Sequence, residues 1–464
     1  MNISFFFKKW QLFLFYCAIG FLVSLSSLHL FVGYADNGDF SRSVSFLFEK
    51  PYGFSEFWPL PETIEWKRRF FSEWHDKWVF LPNWPTKGLV TLSSYKPYLL
   101  LQAKLSALLI SDQSYYSIIL GSIISRFILL SEFFVLFYYV RKSTPAMIFW
   151  LFVALASAVF LDVSFTAFLN SFYEEQVAII FLPAVALLLY KYNQKYSLAV
   201  GFSALTFAVI IGSAKEAYFY FPIIIAPFLF PIFRGKYVLA KFILIIAICQ
   251  SITFLPIYFG RFHKINSYHA LYFGALKVAQ KNEAKNIIMI GSKPVLHECI
   301  GVNAYQSGGE ACVEKTKSSY GDVIKLIYEH PIIGYRMGAS LFYEGNNIEL
   351  KYLGKNISGA PDFSSLPIFK LTSMIFLYSF NLVVLLITFF TLSAFILMKG
   401  KDQGTNNSML KVGLFLSIFG FSQYPIALAD GFQEITKHLI VGNYSLALSF
   451  VFFMPGFFLL LKKL

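Results

Sequence analysis

Charge is what this sequence has least of. Only 14% of its 464 residues are Asp, Glu, Lys or Arg, against roughly a quarter in soluble globular proteins. With 57% of the chain hydrophobic and 19% aromatic, so few charges cannot cover a water-soluble surface. Cysteine is scarce as well: four residues exclude a disulfide-dense secreted scaffold. Internal repeats and low-complexity tracts are absent. So is any phosphate loop of the G-x-x-x-x-G-K-[ST] kind, which argues against an ATP-driven pump. Acids (26) are outnumbered by Lys and Arg (39), leaving a net charge of +13. The excess lies in short clusters between apolar segments rather than along one continuous basic strip, so it does not indicate nucleic acid.

What the chain does have is long apolar runs. A helix crossing a hydrocarbon core needs roughly 20 apolar residues. Ten stretches approach this: 10–33, 115–140, 145–163, 175–190, 196–213, 217–233, 237–259, 373–398, 410–428 and 439–461. The expectation is therefore an all-α polytopic membrane protein with about ten transmembrane helices. Basic residues mark alternate ends of these stretches: Lys8 and Lys9, Arg141 and Lys142, Lys191 and Lys195, Arg234 and Lys236, Lys399 and Lys401, Lys462 and Lys463. Under a ten-span model all of them fall on one side, which puts both termini in the cytoplasm. The first stretch is too long for a signal peptide and has no small-residue cleavage site after it, so it reads as a retained anchor.

The opposite side then receives two large extracytoplasmic loops. Three parts follow: an N-terminal transmembrane module over 1–259 that includes the first outer loop 34–114, a loop domain over 260–370, and C-terminal transmembrane helices over 371–464. Cys299 and Cys312 lie in the second loop, where an oxidising exterior would allow a disulfide. Their spacing fits no metal-ligand pattern. Cys17 and Cys249 lie in apolar stretches and read as small buried hydrophobes. Within the second loop, Tyr320 to His330 followed by Pro331 carries a helix signal.

The acids sit at the outer ends of the apolar stretches. After the first comes Tyr34-Ala35-Asp36-Asn37-Gly38-Asp39-Phe40-Ser41-Arg42; after the third, Asn170-Ser171-Phe172-Tyr173-Glu174-Glu175. Lys215 and Glu216 follow the fifth, and Asp430, Glu434, Lys437 and His438 lie between the ninth and tenth. Ionisable groups at membrane depth are costly and usually functional. If the bundle closes, these ends meet around one polar cavity. There a carboxylate can activate a hydroxyl, while Arg42, Lys215, Lys437 and His438 can hold a phosphate. Asp430, Glu434, Lys437 and His438 would share a helix face.

Each feature also has a plainer explanation. D-N-G-D is strong turn chemistry, which alone accounts for Asp36 and Asp39. Glu174 and Glu175 suit a helix N-terminus. Lys215 with Glu216 suit interfacial anchoring, and Asp430 to His438 suit an ordinary exposed loop. Arg126 and Glu132, inside the second stretch, read as bundle packing or mutual neutralisation. In the first outer loop, Trp58, Trp66, Trp74, Trp78 and Trp84 lie among Lys67, Arg68 and Arg69. This reads as an aromatic belt, or as a platform for sugar rings, with Ser72 to Phe80 forming an interfacial helix.

The acidic motif after the first span, the long first outer loop, the many spans and the second outer domain resemble the GT-C integral-membrane glycosyltransferases. The likeness is greatest to bacterial enzymes that add a hexose to O-antigen, S-layer or teichoic-type glycans. Tyr34 to Phe40 is the closest local match, joined by Asn170 to Glu175 and Asp430 to His438. The resemblance implies a GT-C-like bundle in the bacterial cytoplasmic membrane with its active site on the extracytoplasmic side. It implies a polyprenyl-phosphate-linked sugar as donor and a glycan as acceptor. It also implies inverting transfer with Asp36 or Asp39 as general base, Asp36 being favoured by its place nearest the helix end. Arg42, Glu174, Glu175, Lys215, Glu216, Asp430, Glu434, Lys437 and His438 would bind the donor's phosphate and sugar. A divalent metal is left open, since some relatives need one. Two other readings compete: a glycan polymerase or ligase, in which Arg261, His263 or Arg336 would matter more, and a flippase or transporter of lipid-linked sugars, whose midplane site and repeats are not visible.

Overall fold

The computed structural model describes residues 33–34, 39–52, 75–82, 93–110, 114–160, 162–233, 261–280, 287–345, 353–354, 380–397, 405–429 and 435–461. In chain order these form β1 (Gly33–Tyr34), α1 (Phe40–Val44), β2 (Phe48–Pro51), β3 (Lys77–Phe80), α2 (Tyr95–Leu109), β4 (Tyr115–Ser117), α3 (Ile118–Ser143), α4 (Ala146–Phe160) and α5 (Val163–Thr166). Then come α6 (Glu175–Gln194), α7 (Leu198–Ala214), α8 (Phe221–Ile225), α9 (Arg261–Tyr268), α10 (Leu276–Gln280), β5 (Met289–Ile290) and β6 (Lys293–Pro294). The remainder is α11 (Gly309–Thr316), α12 (Tyr320–Glu329), α13 (Pro331–Gly345), β7 (Leu353–Gly354), α14 (Phe380–Leu397), α15 (Thr405–Ala429) and α16 (Ile435–Leu461).

Among the described residues four helices are long and apolar enough to cross a membrane: α3, α6, α15 and α16. A fifth crossing arises if α4 and the bent segment Val163–Asn170 act as one, with a 48° change of direction between them. The helix α7 is apolar but shorter, and α14 has a shorter apolar stretch over Val383–Leu392. The expected spans 10–33 and 237–259 lie outside the described residues. The expected span 217–233 is not one long α-helix: after the five residues of α8 the chain tightens into a 3-10 helix over Ala226–Phe233. Pro222 sits in the first turn of α8, where a missing amide is tolerated, while Pro227 and Pro231 fall in the 3-10 stretch and each removes an amide donor that an α-helical ladder would need.

The long helices are capped and packed as their sequences dictate. Ser117 accepts from the Leu120 amide to cap α3, and the Asp76 carboxylate accepts from Ser117 Oγ at 2.9 Å and the Ile119 amide at 2.9 Å. Burial lifts the Asp76 carboxyl above the usual range, with these hydrogen bonds opposing it. Arg141 and Lys142 close the last turn of α3, where a helix favours cations. The α15–α16 hairpin is tight because its contact carries small residues. A Cβ on Gly420 would stand 2.9 Å from the Gly442 carbonyl oxygen, and Ser417 and Ser449 hydroxyls meet at 2.6 Å. One hydrophobic core joins this hairpin to the earlier helices, with Phe152 on Phe452 at 5.3 Å and Phe221 on Phe419 at 4.4 Å.

Ser72 to Phe80, expected as an interfacial helix, contains the strand β3 instead. Lys77-Trp78-Val79-Phe80 alternates outward and inward, as β-branched and aromatic residues do on a half-buried strand. It is the centre of an antiparallel sheet ordered β2-β3-β4, with Trp78 opposite Tyr116. Trp78 is buried, its ring 4.9 Å from Phe172, and so takes no part in a lipid-facing belt. The other four loop tryptophans, with Lys67, Arg68 and Arg69, lie outside the described residues.

The second loop has its own core around Tyr268, Leu271, Tyr272, Cys299, Val313, Leu326 and Met337, and Cys299 is disulfide-bonded to Cys312 within it. The helix α12 runs where the sequence placed it and starts from a reciprocal Ser319–Asp322 capping box. Burial alone would raise the Asp322 carboxyl. The hydrogen bonds from Lys293, 2.7 Å away, and from Ser319 outweigh it and hold the group below its ordinary value.

Candidate functional site

The site lies at the end of the bundle where α15 stops and α16 begins, beside the turn 163–176. Asp162 opens that turn by accepting from the Ser164 amide at 2.9 Å. Below it Arg126, buried in α3, donates to Asn170 Oδ1 at 2.9 Å, to Ser122 Oγ and to the Thr166 carbonyl at 3.4 Å. The guanidinium thus braces the turn, where mutual neutralisation with Glu132 was one expectation. Glu132 accepts instead from the backbone amide of Ala184, next to Pro183 inside α6.

Above this brace the first loop docks through aromatic rings. The Tyr34 hydroxyl donates to the Ser164 carbonyl at 3.0 Å, and its ring lies 4.5 Å from Phe168. Phe40 packs on Phe172 at 5.3 Å and on Tyr173 at 5.0 Å. Strand β1 pairs with β7, which ties Gly33 and Tyr34 to Gly354 and Leu353 of the second loop. Asp39 caps α1, its carbonyl accepting from the Ser43 amide at 3.1 Å. Its carboxylate accepts a hydrogen bond from Lys437 Nζ, a partner 398 residues away. Lys437 is buried, with its ammonium 5.1 Å above the Tyr173 ring. His438 follows it on α16, half-buried.

A second group lies one residue further along the same turn. Glu175 opens α6, and its carboxylate accepts from Lys215 Nζ at 2.6 Å; the two are 1% and 8% exposed. Glu174, Glu175 and Glu216 all act electrostatically on the buried Tyr218 hydroxyl. Gln176 donates to the Tyr95 hydroxyl and the Ser171 carbonyl, both at 3.1 Å. Ser93 and Ser94 donate to the Ala214 and Ile210 carbonyls at 2.9 and 2.6 Å, which fixes the start of α2 beside the end of α7. Lys96, on α2, has its ammonium pushed below its ordinary value by burial, against the opposing pull of Glu174.

The structure therefore brings Asp39 and Lys437 together, and Glu174, Glu175, Lys215 and Glu216 together. Tyr173 and Glu174 are the adjacent residues through which the two groups connect. Lys215 is paired with Glu175, as Lys437 is with Asp39. Asp36, Asp430 and Glu434 lie outside the described residues, as does the side chain of Arg42, whose backbone belongs to α1. Among the described residues no three His, Cys, Asp or Glu side chains gather as a metal site would require. Sequence reasoning named Tyr173 only as part of the Asn170–Glu175 motif, with no role, and missed Lys96 and the bracing role of Arg126. Arg126 carried a signal of its own, as a cation inside an apolar stretch.

Residues 7–459 match the family model described as the YfdI N-terminal transmembrane domain. The chain is similar to a protein of Escherichia coli (strain K12) named "Uncharacterized protein YfdI", at 27% identity over 288 residues. That match covers 58% of this chain and 60% of the relative's length. No solved structure matches the chain. A family match that runs across nearly the whole sequence, on a chain whose described residues include four or five helical segments long and apolar enough to cross a membrane, decides the membership: this integral membrane protein belongs to the YfdI N-terminal transmembrane domain family.

Proposed function

We propose that the protein is a membrane glycosyltransferase that moves a monosaccharide from a polyprenyl-phosphate carrier to a glycan acceptor at the outer face of the membrane. The observation that carries this reading is the Asp39–Lys437 contact. It sets a carboxylate and an ammonium side by side at one end of an apolar bundle, on segments 398 residues apart in the chain. A sugar linked through phosphate already has a good leaving group, so the protein must supply a base, a counter-charge and alignment. In the proposed reaction a carboxylate of the first loop takes the proton of the acceptor hydroxyl. The freed oxygen attacks the anomeric carbon from the face opposite the phosphate. The C–O bond to phosphate breaks, its electron pair leaves with the polyprenyl phosphate, and the anomeric configuration inverts.

Asp36 is the base in this reading, because the Asp39 carboxylate already accepts from Lys437. The cation at Lys437 offsets charge on the departing phosphate, and His438 lies beside it on α16. Lys215 and Glu175 shape the site by pairing with each other. The test is transfer of labelled sugar from polyprenyl-phosphate hexose in membranes carrying the full chain, read beside the surface glycan of the same cells. Asp36→Asn and Asp39→Asn each abolish transfer while the protein still inserts. Unchanged glycan in both variants refutes the reading.

A further inference from the structure

The helix α13 is apolar on two sides. Ile333, Met337 and Leu341, at four-residue spacing, are buried. Ile332, Tyr335, Ala339 and Tyr343, three and four apart, form a second stripe that faces outward, with Tyr335 73% and Tyr343 58% exposed. On the preceding helix α12, Ile324 and Tyr328 extend the outward face, Tyr328 being 85% exposed. Arg336 and Glu344 are the only charges in the 15 residues of α13. A helix on the wet side of a domain carries polar residues on its outer face, whereas one that is apolar all round is buried or in lipid.

The contacts of the buried stripe set its level. Leu341 clusters with Val384, Tyr424 and Leu439, and Phe342 stacks on Tyr424 at 4.9 Å. Tyr424 is five residues before the end of α15, and Leu439 is four residues inside the start of α16. At 1.5 Å per residue, these two contacts lie about 6 to 8 Å inside the ends of those helices. The C-terminal half of α13 is therefore sunk alongside membrane-embedded helices; Tyr343 stands at that level and Tyr335 about 9 Å from Leu341 along the helix, toward the helix ends.

We infer that the α12–α13 hairpin is an interfacial membrane anchor, its Ile324, Tyr328, Ile332, Tyr335 and Tyr343 face lying in the headgroup–acyl boundary of the bilayer that holds the bundle. Tyrosine suits that boundary, with an apolar ring and a phenol that reaches water. Lys325 and Glu329, an ion pair at 3.9 Å on α12, supply the polar rim of the face. The inference is independent of the proposed chemistry.

The test is spin-label accessibility of the full chain in phosphatidylcholine–phosphatidylglycerol vesicles. Tyr328→Cys, Tyr335→Cys and Tyr343→Cys are labelled in a Cys17→Ser/Cys249→Ser background, with Glu314→Cys on the exposed side of α11 as the wet control. Exposed positions tolerate such changes. The ratio of oxygen to nickel-chelate accessibility rises several-fold over the control at Tyr335 and Tyr343, and is greatest at Tyr343. Ratios equal to the control overturn the inference. So does spin–spin broadening that vanishes on dilution with unlabelled protein, which would show a second copy covering the face. If the serine background does not fold, unaltered protein in vesicles with diazirine-bearing lipids gives the same decision. Lipid adducts on peptides within 320–345 but not on 309–316 support the anchor, and their absence from 320–345 refutes it.

Discussion

The pair formed by Glu175 and Lys215 offers the most quantitative test of how this end of the bundle is held. Its atoms meet at 2.6 Å, and neither side chain exceeds 8% exposure. Removing one partner of such a pair strands a charge and costs about 3 to 5 kcal/mol, much more than losing a surface ion pair. The two single changes are matched. Lys215→Met leaves a carboxylate in the first turn of α6, where the helix N-terminus returns about 0.3 to 1 kcal/mol. Glu175→Gln leaves an ammonium at the C-cap of α7, where the helix C-terminus returns a similar amount. Each single change is therefore expected to cost about 3 to 5 kcal/mol less that small return. In Glu175→Gln/Lys215→Met no charge is stranded, so the double variant is more stable than either single one, a coupling of several kcal/mol. Reversible unfolding in mixed micelles on addition of sodium dodecyl sulfate, followed by circular dichroism, measures all four proteins. Single-variant losses below about 1 kcal/mol refute the burial argument, since that is the scale of a solvated pair. A double variant as unstable as the sum of the singles refutes the pairing.

Two further predictions concern other parts of the fold. Burial holds the His269 imidazole down to about 4, with its hydrogen bond to Asn303 opposing the shift, and Nε2 accepts from the Ala304 amide at 3.0 Å. The folded loop domain thus binds this proton only near pH 4, while the unfolded chain binds it near 6.5. Stability from this group is complete above about pH 6.5 and is lost as pH falls toward 4, about 3 kcal/mol in all. Hydrogen exchange of peptides spanning 296–306 reads the loss, and His269→Gln, which keeps an acceptor, flattens it; an unchanged pH slope in that variant contradicts the assignment. At the α15–α16 contact, Gly420→Val forces side-chain atoms against the Gly442 carbonyl and Leu446 and costs about 1 to 3 kcal/mol or more. Thermal unfolding in detergent checks it, and a wild-type midpoint would show that the two helices do not approach so closely.

Much of the bundle was legible because crossing lipid imposes a length. The stretches 115–140, 175–190, 410–428 and 439–461 coincide with α3, α6, α15 and α16. The reading failed where hydropathy and backbone chemistry diverge. Residues 217–233 are apolar enough to span, yet Pro227 and Pro231 deprive the ladder of amide donors where the chain tightens into the 3-10 helix, which an apolar count does not register. Ser72 to Phe80 was read by its tryptophans and neighbouring cations, when the alternation over Lys77 to Phe80 was the stronger local signal.

In the site, the presence of costly ionisable groups was legible, but their pairing was not. Lys215 has Glu216 next to it in the chain and bonds Glu175 instead, 40 residues away. The reason is local: Lys215 is extended, with φ −147° and ψ 149°, and in extended backbone successive side chains leave in opposite directions. The lysine is thereby turned away from its neighbour and toward the start of α6. Asp39 likewise meets Lys437 because Phe40 is seated on Phe172 and Tyr173, which fixes where its neighbouring carboxylate stands. Partner choice in this protein is decided by packing that sequence spacing does not encode, and the aromatic residues between the acids do that packing.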